Sequence, residues 1–112
     1  MESLDIKVNL SVSHAAGMVK DGIEQGSMSG EMIDSYSVRG EQELVVMVFE
    51  KYYMRNSSRA SLTVTLDNIS GDTHVHAVGS GGGQGAFFKF DWGASNDFTH
   101  EVERILKDYI KR

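Results

Sequence analysis

The 112-residue sequence contains neither cysteine nor proline. Without cysteine, neither disulfides nor a thiolate zinc site can stabilise the fold, and a reducing compartment is indicated. Without proline, the turns must be formed by glycine, asparagine, aspartate and serine. The sequence has 12 glycines for that purpose.

Long apolar runs and an excess of positive charge are also missing. No apolar stretch approaches the ~20 residues that a membrane-spanning helix requires. The formal net charge of -5 argues against binding to nucleic acid, because a phosphate backbone attracts cationic surfaces. Residues 1–5 show no basic segment leading into an apolar run, so we expect no secretory signal and a cytoplasmic protein.

The length predicts a single domain over residues 1–112. Its hydrophobic content of 40% is sufficient for one core, although somewhat below the usual figure. We find no internal repeat, linker or low-complexity tail. The whole chain is therefore available to build one fold.

The first third of the chain predicts a strand and then a helix. Leu4, Ile6, Val8 and Leu10 alternate with polar residues, as in a strand with one buried face. Ser11 or Ser13 can cap the helix that follows, and Gly26 can end it. Gly22 lies on the apolar stripe of this helix, where we expect close approach to a sheet. The stripe comprises Ala15, Met18, Val19, Gly22 and Ile23.

The middle of the chain predicts consecutive strands. Residues 29–38 form an edge strand, and residues 44–49 form a central strand that is apolar on both faces. Residues 60–67 and 73–78 alternate in the manner of half-buried strands. After a glycine-rich loop over residues 79–85, Phe88, Phe90 and Trp92 share one parity and predict a further strand.

The end of the chain predicts a second helix. Ser95 can cap it, and Asp97 would lie in its first turn, where a carboxylate interacts favourably with the helix dipole. Its apolar stripe comprises Phe98, Val102, Ile105, Leu106 and Tyr109.

The predicted fold is an α+β two-layer sandwich with the order strand, helix, antiparallel meander of four or five strands, helix. This element order resembles the TATA-binding-protein-like and helix-grip folds, in which a curved sheet wraps a C-terminal helix. The resemblance concerns element order alone and carries no function.

Two stretches resemble a known family. They are residues 50–65, which begin Glu50-Lys51-Tyr52-Tyr53, and residues 75–94, which run from Val75-His76-Ala77 to Asp91-Trp92-Gly93-Ala94. Both resemble a small bacterial family catalogued only as a domain of unknown function. The resemblance extends over nearly the whole chain. It implies a stand-alone bacterial cytoplasmic protein and brings no activity, cofactor or catalytic residue.

The glycine-rich loop invites comparison with phosphate-binding loops, whose backbone N–H groups bind anions. No Lys-Ser or Lys-Thr pair follows it, and the next predicted element is a strand rather than a helix. We therefore interpret it first as a structural turn or bulge, and second as a mobile binding loop.

His74 and His76 lie two residues apart on a predicted strand, so both rings project from the same face. Two imidazoles can bind zinc when a third protein ligand is available, but the sequence identifies none. The favoured interpretation is a polar pair on the solvated face, opposite Val75 and Ala77. We predict no metal and no cofactor.

Catalytic chemistry finds little support. The sequence has no cysteine nucleophile and no Gly-x-Ser-x-Gly elbow. Lys51, Tyr52, Tyr53, Arg55 and Arg59 alternate aromatic and basic side chains around one hairpin. In a protein with net negative charge, this pattern is more typical of a soluble strand edge than of a nucleic-acid site. We assign no catalytic residue.

The two-faced strand carries the functional hypothesis. Helices can cover only one face of the sheet, and large exposed apolar surfaces usually mark an interface or a ligand groove. We therefore expect a non-enzymatic interaction module that forms a homodimer through its sheet face. A small ligand is expected near the glycine loop, and its candidate binding residues are Gly81, Gly82, Gly83, His74, His76, Lys89 and Trp92. The alternative is a small enzyme, with or without metal, that uses His74 and His76.

Overall fold

The computed structural model describes residues 2–26, 30–53, 58–82 and 92–111. Within these ranges the order of elements is strand, helix, four strands and helix, in agreement with the predicted order of strand, helix, four or five strands and helix. The elements are β1 (Glu2–Val8), α1 (Val12–Gln25), β2 (Glu31–Arg39), β3 (Glu43–Tyr53), β4 (Ser58–Asp67), β5 (Thr73–Gly82) and α2 (Trp92–Leu106). A short 3-10 turn, Lys107–Tyr109, follows α2.

The five strands form one sheet in the order β1-β5-β4-β3-β2, and every neighbouring pair is antiparallel. Strands β2 to β5 form the predicted meander. Strand β1 is first in the chain, yet it pairs with β5 and lies at the opposite side of the sheet from β2. The α+β class and the antiparallel sheet are thus confirmed.

The core lies between one face of the sheet and the two helices. Alternate residues of β4 and β5 are fully buried, and the same cluster includes residues of α1 and α2. Its strand members include Leu62, Val64, Leu66, Val75 and Ala77, and its helix members include Val12, Ala15, Val19, Ile23, Val102 and Leu106. Because the buried residues of each strand share one parity, the other face of the sheet remains outside this core.

Helix α1 follows its sequence signals closely. The backbone N–H of His14 donates to the Ser11 side-chain oxygen at 3.1 Å, which makes Ser11 the N-cap. The helix ends at Gly26, as predicted. The prediction for Gly22 is wrong in its partner: the closest side chain is Ile105 of α2, so Gly22 allows contact between the two helices and not between a helix and the sheet.

Helix α2 begins earlier than predicted. Trp92 is its first residue, so the prediction of a strand that includes Trp92 is wrong. Ser95 and Asp97 consequently lie inside the helix and not at its N-terminus. The physical reason is that an alternation of aromatic residues does not by itself fix the backbone conformation. Tryptophan is tolerated in helices as well as in strands, so Trp92 can begin a helix. Phe88 and Phe90 lie outside the described residues.

The C-terminal stripe is only partly confirmed. Val102 and Leu106 are fully buried, and Ile105 packs against the core. Tyr109 is 40% exposed because the regular helix ends at Leu106 and a 3-10 turn follows, which moves later residues off the stripe.

Candidate functional site

One face of the sheet, here called the open face, carries the side chains that alternate with the core. Strand pairing sets them in rows across the sheet. The middle row is Asp5, His76, Thr65, Val46 and Tyr36, and the adjacent row is Lys7, His74, Asp67, Leu44 and Val38. Both helices contribute their buried residues to the opposite side. The side chains of the open face are therefore the ones on this sheet that can contact a ligand or a partner.

The β2–β3 side of the open face is apolar. Leu44, Val46 and Val48 of β3 alternate with buried Met47 and Phe49, which confirms that this strand is apolar on both faces. We call Leu44, Val46, Val48, Tyr36 and Val38 the apolar band. Tyr36 pairs with Val46 and Val38 with Leu44, so the band is continuous across two strands. Tyr36 is 61% exposed and Val38 is 44% exposed.

The β1–β5 side of the open face is polar and contains the histidine pair. The Asp5 Oδ1 atom lies 2.5 Å from His74 Nε2 and 3.5 Å from His76 Nδ1. The two rings therefore project from the same face, as predicted, and Val75 and Ala77 between and beyond them are buried. All three side chains are at least one-third exposed. One carboxylate oxygen can accept from both rings only with suitable tautomers or protonation.

Asp5 is the neighbouring carboxylate that the sequence could not identify. It precedes the histidines by about 70 positions in the chain, and only the β1–β5 pairing places it opposite His76. Residues so far apart carry no local pattern that would predict their contact. Within the described ranges, no group of three or more His, Cys, Asp or Glu side chains is arranged to hold a metal ion.

Part of the glycine-rich stretch belongs to a strand. Gly79 to Gly82 continue β5, and Gly81 and Gly82 pair with Ala60 and Arg59 of β4. The predicted turn therefore cannot start at Gly79. A sheet ladder extends the backbone, whereas a phosphate-binding loop is concave.

The predicted ligand-binding residues do not all lie together. His76 and Gly82 are separated by about 20 Å along an extended strand, so one small ligand does not reach both. Gly81 has the parity of the buried side and Gly82 that of the open face. Trp92 begins α2, while Gly83 and Lys89 lie outside the described residues. The role of this set in ligand binding stays a prediction.

The basic and aromatic hairpin is partly neutralised within the sheet. Arg59 lies over the Tyr52 ring, 5.8 Å from its centroid, and its Nη1 atom is 3.8 Å from the Glu50 carboxylate. Arg59 is thus shared between an aromatic face and an acid of the neighbouring strand. This arrangement is consistent with the interpretation of the hairpin as a strand edge whose charges are solvated and paired within the sheet.

A shallow polar cleft of about 360 Å³ lies beside the N-terminus of α1, and sequence reasoning missed it. Asp72 and Lys111 line it, and the Lys111 Nζ atom donates to Asp72 Oδ1 at 2.8 Å. This hydrogen bond, with the positive charge of Lys111, lowers the pKa of the Asp72 carboxyl. At this cleft, the ion pair between Lys111 and Asp72 thus joins the C-terminal segment to the β4–β5 turn.

No described helix has the length and apolar character needed to cross a membrane. Comparison with curated proteins and with solved structures found no match, so the likeness to helix-grip folds stays a prediction. A family model does match, over residues 1–110, and its description is a family of unknown function (DUF6054). This match confirms the family resemblance that the two sequence stretches indicate. The chain belongs to this family of unknown function, DUF6054.

Proposed function

We propose that the protein is a non-enzymatic interaction module that self-associates through the open face of its sheet. The observation that carries this proposal is the apolar band on a face that neither helix covers. Water contact with such a band is unfavourable, by roughly 25 cal/mol for each Å² of apolar surface. A partner that covers the band removes this cost.

A second copy of the chain is the partner that the charges favour. The whole chain carries a net charge of -5, which opposes association of copies at random. The five residues of the apolar band carry no charge, so two copies can approach there with the least repulsion. A two-fold axis through the band places it against itself, which is the usual geometry of homodimers.

The test is the mass of the native protein in solution, measured by light scattering after size-exclusion chromatography. We expect twice the chain mass of 12.4 kDa. Val46→Lys places a charge in the centre of the band and should shift the protein toward the monomer. Gln25→Lys makes the same charge change at an exposed position on α1 and should leave the mass unchanged.

Two results would reject the proposal. One is a native protein that stays monomeric at every concentration measured. The other is a dimer that Val46→Lys and Gln25→Lys affect equally. Circular dichroism of both variants checks that Val46→Lys remains folded.

The proposal includes a small ligand at the Gly79–Gly85 stretch. Support comes from strand β5, which carries His76 three residues before Gly79, where this stretch begins. Native mass spectrometry of protein purified without denaturation tests for a retained ligand. A spectrum that contains only the masses of the chain and its multiples would remove the ligand from the proposal.

The second candidate is a small enzyme that uses His74 and His76, and the Asp5 contact is the observation in its favour. A carboxylate next to an imidazole can fix its tautomer and orient it for proton transfer. Elemental analysis distinguishes the metal-dependent form of this candidate. If the protein contains stoichiometric zinc or iron and His76→Ala loses that metal, the enzyme would replace the interaction module as the proposed function.

A further inference from the structure

The polar cleft beside α1 lies at the end of β5 that is opposite the glycine-rich stretch. Thr73 begins β5 at this end, and Gly79 lies about 20 Å further along the strand. The cleft volume of about 360 Å³ falls within the range of roughly 300–1,000 Å³ that is usual for small-molecule sites. Its polar lining residues are Asn9, Ser11, Asp72, Thr73 and Lys111.

Thr73 brings an unsatisfied hydroxyl to this cleft. Its side chain has the parity of buried Val75 and Ala77, on the helix side of the sheet, and the residue is only 7% exposed. No residue that the structure describes forms a hydrogen bond with this hydroxyl. A buried hydroxyl without a partner costs free energy, so buried polar groups in folded proteins are nearly always hydrogen-bonded. The Thr73 hydroxyl is therefore suited to bind a polar ligand in the cleft.

The charges at the cleft favour a negatively charged ligand. The Lys111 Nζ atom donates to Asp72 Oδ1 at 2.8 Å, and the Lys7 Nζ atom lies 3.9 Å from the other oxygen of the same carboxylate. Two lysines against one aspartate leave one formal positive charge. An ammonium group has three N–H donors, so Lys111 can bind Asp72 and a second acceptor at the same time.

Helix α1 adds to this positive potential. The 14-residue helix follows Ser11 directly, and its first turn contains no acidic side chain. The positive end of its dipole is therefore not neutralised by a carboxylate of its own first turn. The Ser11 Oγ atom accepts from the His14 N–H, and the O–H of the same group remains able to donate to a ligand.

We propose that this cleft binds a small oxyanion, the phosphate or carboxylate group of a ligand, through the Thr73 hydroxyl, the Lys111 ammonium and the Ser11 hydroxyl. All three groups can donate, which suits a ligand group that has only acceptor atoms. A cationic ligand is disfavoured because Asp72, the carboxylate in the lining, is already paired with lysine. The cleft is on the helix side, so this binding goes beyond self-association through the open face and does not depend on it.

Amide chemical shifts of the isotope-labelled native protein test the site, with inorganic phosphate and acetate as probes. Both are titrated at constant ionic strength, because salt screens charge interactions. We expect saturable shifts at Ser11, Gly71 and Thr73 with at least one probe, and the probe that binds distinguishes a phosphate ligand from a carboxylate ligand. If neither probe gives saturable shifts there at ~20 mM, enough to fill a site with a Kd of ~1 mM, the proposal is overturned.

Substitutions identify the groups that bind. Thr73→Val keeps the shape of the side chain without its hydroxyl, so it should weaken binding roughly fivefold or more without lowering the urea midpoint. Lys111→Gln should weaken binding by a similar factor. Lys107→Gln makes the same charge change at an exposed residue outside the cleft lining and should leave the affinity unchanged. An equal loss in both lysine variants would indicate a general effect of charge and reject the site.

Asp72→Asn separates an anion site from a cation site. Loss of the carboxylate frees Lys111 and should tighten binding of the anion by about twofold or more. Weaker binding in Asp72→Asn would overturn the proposal, as would equal affinities of Thr73→Val and the native protein.

Discussion

Two glycines of α1 allow a direct measurement of how closely the helices approach each other. Gly17 and Gly22 both lie inside the helix, where alanine is favoured over glycine by about 1 kcal/mol. A Cβ atom at Gly17 would have no heavy atom within 4 Å among those the structure describes. A Cβ atom at Gly22 would lie 2.5 Å from Cδ1 and 2.7 Å from Cγ1 of Ile105. The two substitutions are chemically identical and differ only in this contact.

The expected magnitudes follow from these distances. Gly17→Ala should raise the free energy of unfolding by about 1 kcal/mol. Gly22→Ala gains the same preference for helix, but it forces Ile105 to move, and such overpacking costs ~1–3 kcal/mol. Because two atoms of Ile105 lie too close, a rotation of its terminal methyl alone does not relieve the contact. Gly22→Ala should therefore be less stable than Gly17→Ala by ~1–3 kcal/mol.

Urea denaturation followed by circular dichroism measures both free energies, at one protein concentration so that association does not change the comparison. In thermal unfolding the same difference corresponds to a separation of roughly 4–12 °C between the two variants. Ile105→Val removes Cδ1 and should make Gly22→Ala less costly in the double variant than alone. If Gly22→Ala stabilises the protein as much as Gly17→Ala, the close packing of α1 on α2 is refuted.

Three further predictions concern turns and caps. Ser11→Ala removes the oxygen that accepts from the His14 N–H and should lower the free energy of unfolding by about 1 kcal/mol in urea denaturation. Gly71 has φ of 102°, so Gly71→Ala should cost about 1 to 3 kcal/mol, and an unchanged urea midpoint would contradict this strain. The pKa of Asp72 is lowered in the folded state by Lys111, so its contribution to stability is present above the ordinary carboxyl pKa of 3.8 and is lost as pH falls through the lowered value. Asp72→Asn should reduce the dependence of stability on pH in that acidic range, and an unchanged pH profile would argue against the ion pair.

The helices and the meander could be predicted because their signals are local. The spacing of Ala15, Val19 and Ile23 along one face of α1 reflects contacts within a few turns of one helix. The alternation of Leu62, Val64 and Leu66 similarly records burial of one face of one strand. Neighbouring strands of a meander are joined by short turns, so their pairing follows from chain order.

The position of β1 could not be predicted in this way. Its alternation of Leu4, Ile6 and Val8 indicates a strand with one buried face but says nothing of its neighbour. Pairing with β5 brings together residues about 70 positions apart, and several registers would bury the same apolar side chains. For this reason the sequence alone does not predict the contact of Asp5 with His74 and His76, although it contains all three residues.

The start of α2 was missed for a different reason. The sequence offers a good cap at Ser95 and an aromatic alternation before it, and the two signals agree on a helix that begins after Trp92. The helix nevertheless begins at Trp92. A cap is worth only about 1 kcal/mol, so tertiary packing of a longer helix can outweigh it.

The contrast between β3 and β4 indicates which part of the open face we expect a partner to cover. On β4 the open face carries Thr63 and Thr65, which are compatible with solvent, whereas on β3 it carries Val46 and Val48. The apolar surface is thus concentrated on the β2–β3 side of the sheet. Val46→Lys places its charge in the middle of that surface, so loss of the dimer in this variant identifies the β2–β3 side as the part of the open face that holds copies together.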